Sequence, residues 1–480
     1  MADSAATEDC ETRGHPRASS LGELRASGWK PTGVREELRR NVAARIRAGR
    51  QVVEGLVGYG DSVLPQLENA LLAGHDIIFL GERGQAKTRI IRSLTALLDE
   101  WVPAVAGSEV NDDPFRPVSR YARQLIAEKG DDTPIEWVGR HERFAEKLAT
   151  PDTTIADLIG EVDPIRVAEG RYLSDELTIH YGLVPRTNRG IFAINELPDL
   201  AERIQVGLLN ILEERDIQIR GHKIRLPLDL VLVASANPED YTNRGRIITP
   251  LKDRFGAQIR THYPNDTEEE LAVVAQEASP VELDGLGVAV PAFMAEIVAE
   301  VSQLARQSSH VNQRSGVSVR LSIANYETLV ANAVRRALRT GESQAVPRVS
   351  DLMALLASTG GKVEIEAIEE GEEERVIANI VGTAVRNVFR AYCPPELLAS
   401  ALESFEGGQV VHTGDDLASN AHVKVLAEHP GLRAPVIAVA GSEDPGELAS
   451  ALELVLEGLH LTKRLNKESL GSRSIYQGRK

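Results

Sequence analysis

Gly81-Glu82-Arg83-Gly84-Gln85-Ala86-Lys87-Thr88 stands between the apolar run Asp76-Ile77-Ile78-Phe79-Leu80 and a helical pattern from Arg89 to Leu98. A buried strand, a small-residue loop and then a helix form the context in which G-x-x-x-x-G-K-[ST] cradles phosphate. Successive backbone N–H groups converge on the β-phosphate, Lys87 neutralises β/γ oxygens, and the Thr88 hydroxyl ligates the bridging magnesium. One position departs from the pattern, because Ala86 stands where its second glycine belongs. Alanine still offers its N–H, and with a negative φ its methyl costs little.

Working outward, 480 residues exceed one ordinary domain and point to about two to four structural units. A chain 42% hydrophobic and 26% charged is a soluble globular one, and with 4% aromatic residues its cores are aliphatic. The net charge of −17 argues against a nucleic-acid coating role, which needs clustered cations. Cys10 and Cys393 make neither a zinc quartet nor a disulfide framework. No run approaches the ~20 apolar residues of a membrane span, and the polar stretch to Ser20 is unlike a signal peptide. The expected location is cytoplasmic.

Before the loop, the polar, charged residues 1–33 read as a disordered segment. Val34 to Arg50 reads as a basic, solvated amphipathic helix packed on the main domain, and Ser62 to Leu72 as a second helix ended by Gly74. After Trp101 the pattern is mixed strand and loop, with a helix-like stretch at Tyr121 to Glu128 and short apolar alternation at Thr154 to Ile159. Gly190 to Ile194 is a buried strand ending in Asn195-Glu196, Glu202 to Glu213 a helix, and Asp216 to Leu226 a hairpin around Gly221. A further buried strand, Leu228 to Ala234, runs into Ser235-Ala236-Asn237. Strands alternating with helices predict an α/β fold with a mainly parallel sheet whose ligand site lies at the strands' carboxyl ends. The loop, Asn195-Glu196 and Asn237 all fall at such ends. Past Thr267 the pattern is helical, the acidic block Glu364 to Glu374 a solvated face, Pro435 to Ala440 a late short strand, Gly446 to Leu459 a final helix, and the basic tail from Lys463 frayed.

These residues resemble the AAA+ ATPases, most closely the MoxR group and magnesium chelatase subunit I, over roughly Val52 to Ala345. The resemblance implies a P-loop NTPase domain over residues 34–265, a helical lid over 266–345 and a mostly helical C-terminal region over 346–480. It makes Gly81, Glu82, Arg83, Gly84, Gln85, Ala86, Lys87 and Thr88 the Walker A element, and the neighbouring MCM and RavA-like groups share alanine before the lysine. Asn195-Glu196 takes the place of Walker B, with Glu196 as general base. The family has aspartate where Asn195 stands, which implies a weaker magnesium site and slow hydrolysis. Asn237 matches sensor 1, Arg254 the arginine finger that reaches a neighbour's ATP, and Arg320 sensor 2. The hairpin with Arg215, Arg220, His222, Lys223 and Arg225 resembles the pre-sensor 1 insertion, and Ile165 to Leu183 takes the place of the helix-2 insertion. The hairpin reads as a charge-covered edge or a protein-binding element in preference to a DNA contact.

By this resemblance the chain is expected to use ATP and Mg2+, to form a hexameric ring and to remodel a partner with a von Willebrand factor A domain. The competing expectations are the motor subunit of a porphyrin metal chelatase, a subunit that binds nucleotide without turning it over, and a DNA translocase, which the net charge disfavours. An enhancer-binding activator is weaker still, as no GAFTGA-like loop precedes Asn195.

Overall fold

The computed structural model describes residues 18–162, 178–213, 226–237, 247–312, 316–365, 371–406, 408–470 and 473–479. The basic hairpin expected from Asp216, most of the helix-2 insertion and the first residues of the N-terminal segment lie outside the described residues. The chain divides into two units, one of residues 1–82 and 86–262, the other of 83–85 and 263–480.

In the first unit five strands, numbered in chain order, are β1 (Ile77–Leu80), β2 (Phe144–Leu148), β3 (Gly190–Asn195), β4 (Leu230–Ala236) and β5 (Ala257–Arg260). All neighbours pair in parallel, in the order β5-β1-β4-β3-β2. The three central strands are buried at every residue, as both faces of a parallel sheet are covered. Alternation sorts their side chains. Ile77, Phe79, Ile191, Ala193, Val231 and Val233 pack with Leu38, Leu67, Ile90 and Ile91 of three helices, Val34–Arg47, Val63–Ala73 and Lys87–Ser93. Ile78, Phe192, Ile194, Leu232 and Ala234 pack on the opposite face with Ile204, Leu208 and Ile211 of the helix Glu202–Glu213. The register Ile77↔Val233 and Ile194↔Ala234 brings the ends of β1, β3 and β4 to one edge of the sheet.

One expectation for this unit is corrected and one is met. The segment to residue 33 contains the helix Leu21–Ala26, with Leu21 and Leu24 fully buried. The chain there is tied to a small antiparallel hairpin, Trp101–Val105 with Ile135–Gly139, by Ile135 N–H to Ser19 O (3.0 Å) and Trp137 Nε1–H to Ala18 O (2.8 Å). Trp29 meets Trp137 edge to face at 5.5 Å, contacts that a polar composition does not announce. The helix Val34–Arg47 packs on the domain through Val34, Leu38 and Val42, as its amphipathic pattern predicts, and its Glu37 is buried against Arg143 through two hydrogen bonds of 2.8 and 2.6 Å. Arg35 pairs with Asp76 at 2.7 Å.

The second unit is mostly helical. Helices Ala292–Gln307, Arg320–Thr340, Glu372–Tyr392 and Pro445–Leu461 share one core that includes Phe293, Leu321, Phe389, Leu452 and Leu456. Residues expected as lid and as C-terminal region therefore pack together.

Pro435 to Ala440 is not a strand but the end of the helix Pro430–Ala440. Leu432, Pro435, Val436 and Val439 recur at helical spacing and are buried, while a short apolar run alone does not distinguish strand from helix. The tail after Lys463 is likewise ordered. Leu465–Leu470 and Arg473–Gly478 form an antiparallel hairpin that extends to the strand Val410–Gly414. Buried Tyr476 donates to Glu457, and Lys467 pairs with the same carboxylate at 2.7 Å, which anchors a stretch whose charge suggested fraying. Among the described residues no helix is long and apolar enough to cross a membrane.

Candidate functional site

β1 runs through the loop into the helix Lys87–Ser93, which begins at Lys87. Gly84 has φ +76°, a conformation that favours glycine. Within the second unit, which takes in residues 83–85, a Cβ on Gly84 would fall 1.9 Å from Ser318 Oγ. Ala86 corrects the sequence reading. Its φ of +53° and ψ of +13° are left-handed, so the methyl is carried at a cost of about 1–2 kcal/mol.

Lys87 is 7% exposed. Its ammonium donates to Gly81 O, to Glu82 O at 2.8 Å and to Asn237 Oδ1 at 2.8 Å. The other end of the same amide, Asn237 Nδ2, donates to Glu196 Oε2 at 2.7 Å. An amide between an all-donor ammonium and an acceptor carboxylate can face only one way. Glu196, directly after β3, also has a left-handed backbone, φ +54° and ψ +48°. Two non-glycine residues in that region within one constellation place backbone strain where chemistry is expected.

Asn195 is buried beside them. Its Oδ1 accepts from Ser235 Oγ at 3.1 Å, and its Nδ2 donates to Glu146 on β2. Glu146 in turn pairs with Arg92 of the loop's helix, at 2.7 Å to Nε and 3.2 Å to Nη2. The Glu146 carboxylate beside it holds the exposed Arg92 guanidinium above its ordinary pKa. Ser235 closes the group by accepting from the Glu196 N–H at 3.3 Å.

The structure thus brings Lys87, Asn195, Glu196 and Asn237 together. Arg254 ends the helix Thr249–Arg254, is 35% exposed at its side chain and pairs with Asp253 at 3.3 Å. Arg320 opens a helix of the second unit, its N–H bonded to Ser318 Oγ at 3.2 Å. Glu146, Ser235 and Arg92 escaped the sequence reading. The available signal was a glutamate on the inward side of a strand, where an unpaired charge is not tolerated.

The donor set suits both groups that the Walker-type loop calls for. Phosphate meets a buried ammonium, and magnesium takes oxygen donors with few carboxylates, keeping several waters. The Thr88 hydroxyl and the Asn195 amide oxygen are such donors, with a carboxylate directly behind the amide.

Fold and site together define an α/β domain with a Walker-type phosphate loop at the carboxyl ends of a parallel sheet. In sequence the chain is similar to magnesium-chelatase subunits. No protein-family model matches the chain. It is 30% identical over 240 residues to the magnesium-chelatase 38 kDa subunit of Cereibacter sphaeroides, covering 48% of this chain and 61% of that relative. It is 26% identical over 325 residues to the magnesium-chelatase subunit ChlI of Anabaena variabilis, covering 64% of this chain and 92% of the relative. The chain thus spans less than two thirds of the first of these relatives and most of the second. Among solved structures, a cryo-electron-microscopy complex of magnesium-chelatase subunits BchI and BchD aligns with 68% of this chain and 94% of its own, at 20% identity and a TM-score of 0.35.

Proposed function

We propose that this chain is a ring-forming ATPase that hydrolyses ATP and spends the energy on remodelling or activating a partner protein that carries a von Willebrand factor A domain. The observation that supports it most is the continuous bond chain Lys87–Asn237–Glu196 at the carboxyl ends of β1, β3 and β4. Lys87 holds the β/γ oxygens, Glu196 accepts the proton of the attacking water, and Asn237 orients both. Thr88 and Asn195 would hold magnesium, which when bound neutralises charge on the transferring phosphoryl group. Arg254 acts on a neighbour's ATP, and Arg320 serves as sensor 2. A hexameric ring gives the finger its neighbour.

The test is complementation. Arg254→Ala and Glu196→Gln should each hydrolyse little ATP alone and recover measurable turnover when mixed. Recovery absent at all mixing ratios, with both variants folded and binding ATP, refutes action between subunits.

A second reading, the ATPase motor of a magnesium or other porphyrin metal chelatase, is favoured by the names of the relatives. It predicts retention of a large catalytic chelatase subunit in a pull-down, whereas the leading reading predicts a different von Willebrand factor A protein. A DNA translocase is disfavoured by the net charge of −17.

A further inference from the structure

We propose that Glu146 supplies, through the side chain of Asn195, the negative charge that the magnesium site lacks at position 195, and that Arg92 moderates that charge. The inference rests on the ATPase reading above and deepens it. Asn195 brings an amide and no charge, but its NH2 donates directly to the Glu146 carboxylate. An amide that donates to an anion is polarised, and more negative charge gathers on its carbonyl oxygen. That oxygen has two lone pairs, one of which accepts from Ser235 Oγ. The second is left for a metal-bound water.

Glu146 is built into the sheet for this task. It sits on β2 in register with Ala193, two residues before Asn195, and shares the sheet face of Phe144, Ile191 and Ala193 that packs on the loop's helix. Its side chain is 19% exposed, whereas that of its counter-ion Arg92 is 65% exposed. A solvent-facing guanidinium cancels little of a carboxylate's field, so the charge is reduced and not quenched. Glu146 is a positioning residue in this scheme. It touches Asn195, and Asn195 touches the metal's water shell.

The experiment is calorimetry of ATP binding to the full chain over a series of free Mg2+ concentrations, with EDTA as the zero point. Glu146→Gln should raise the half-saturating Mg2+ about tenfold, the scale of lost outer-shell partners, with ATP affinity in EDTA unchanged. Asn195→Asp alone should bring no gain, since its carboxylate would face Glu146 and like charges oppose joint ionisation. Asn195→Asp combined with Glu146→Gln should restore the wild-type half-saturation. Arg92→Ala, on an exposed side chain that the fold can spare, should lower it by a factor of about two to five.

An unchanged Mg2+ requirement in folded Glu146→Gln, or no recovery in the double variant, overturns the proposal. Should Glu146→Gln fail to fold, an unchanged or raised requirement in Arg92→Ala overturns it. The ATPase reading fails differently: wild type would bind no ATP at any Mg2+ concentration, or Lys87→Ala would bind it as well as wild type does.

Discussion

Each unit buries a network of charges, and the two networks are built to opposite ends. In the second unit Arg336, Arg348, Asp351 and Glu453 are all 2% exposed or less. Arg336 holds Asp351 at 3.1 Å and Glu342 at 3.3 Å, and Arg348 donates to Leu417 O and Ser419 Oγ. His422 meets Glu453 at 3.2 Å, while Ser350 N–H donates to the same carboxylate. The partners come from five separate stretches, so the network staples the unit together. In the first unit the chain from Lys87 to Arg92 follows the sheet's edge, has two left-handed non-glycine residues at or beside it and ends on an exposed arginine. Charge buried for architecture is enclosed by many partners. Charge buried at the proposed site is held on strained backbone and reaches solvent at one end.

Breaking the first network should cost binding before it costs stability. Lys87→Ala should lower ATP affinity about a hundredfold or more in calorimetry, since several charge-assisted contacts to phosphate vanish together. Breaking the second should do the reverse. Arg336→Leu takes the paired guanidinium from the buried carboxylate of Asp351, which keeps only the Asn332 amide and the Arg348 N–H, and should destabilise the chain by about 3–5 kcal/mol in urea melts while ATP affinity holds. Equal losses of binding and stability in both variants would erase the contrast.

Acid offers a milder probe. Burial by itself would raise the Glu453 carboxyl, but the His422 hydrogen bond, the charges of His422 and Arg348 and the Ser350 N–H bring it to about 2 from an ordinary 4.5. A depressed carboxyl contributes stability above its unfolded value and loses it as pH falls toward the folded one. The second unit should therefore lose on the order of 3 kcal/mol between pH ~4.5 and ~2, and Glu453→Gln should flatten that part of the profile. The smallest effect is expected at Ala86→Gly. Relief of left-handed strain is offset in part by added freedom of the unfolded chain, so melts should show a gain within about 1 kcal/mol. A loss would mean that the backbone at Ala86 is not strained.

Much of the first unit was legible because its signals are local. Ile77–Leu80, Gly190–Asn195 and Leu230–Ala236 are apolar runs that end in the very residues the site uses, and their length and flanks identify them as strands. Asn237 and Glu196 could be placed near the loop because strand ends converge. Their direct bond could not, since it depends on one amide's orientation. Glu146 was invisible for a related reason: nothing in Phe144–Leu148 shows which strand will lie beside it, and only the pairing with β3 gives the glutamate its partner. The failures in both units share one cause. Leu21, Tyr476 and the apolar face of Pro430–Ala440 bury against distant elements, and composition or a short apolar run cannot foresee tertiary partners.

The amide of Asn237 has a consequence beyond orientation. Lys87 and Glu196 carry opposite charges and lie on different elements, and one side chain binds them both. The interposed amide satisfies each through its own bond, 2.8 Å on one side and 2.7 Å on the other. One side chain thus clamps the first residue of the loop's helix to the residue after β3, so that a shift of either is passed to the other.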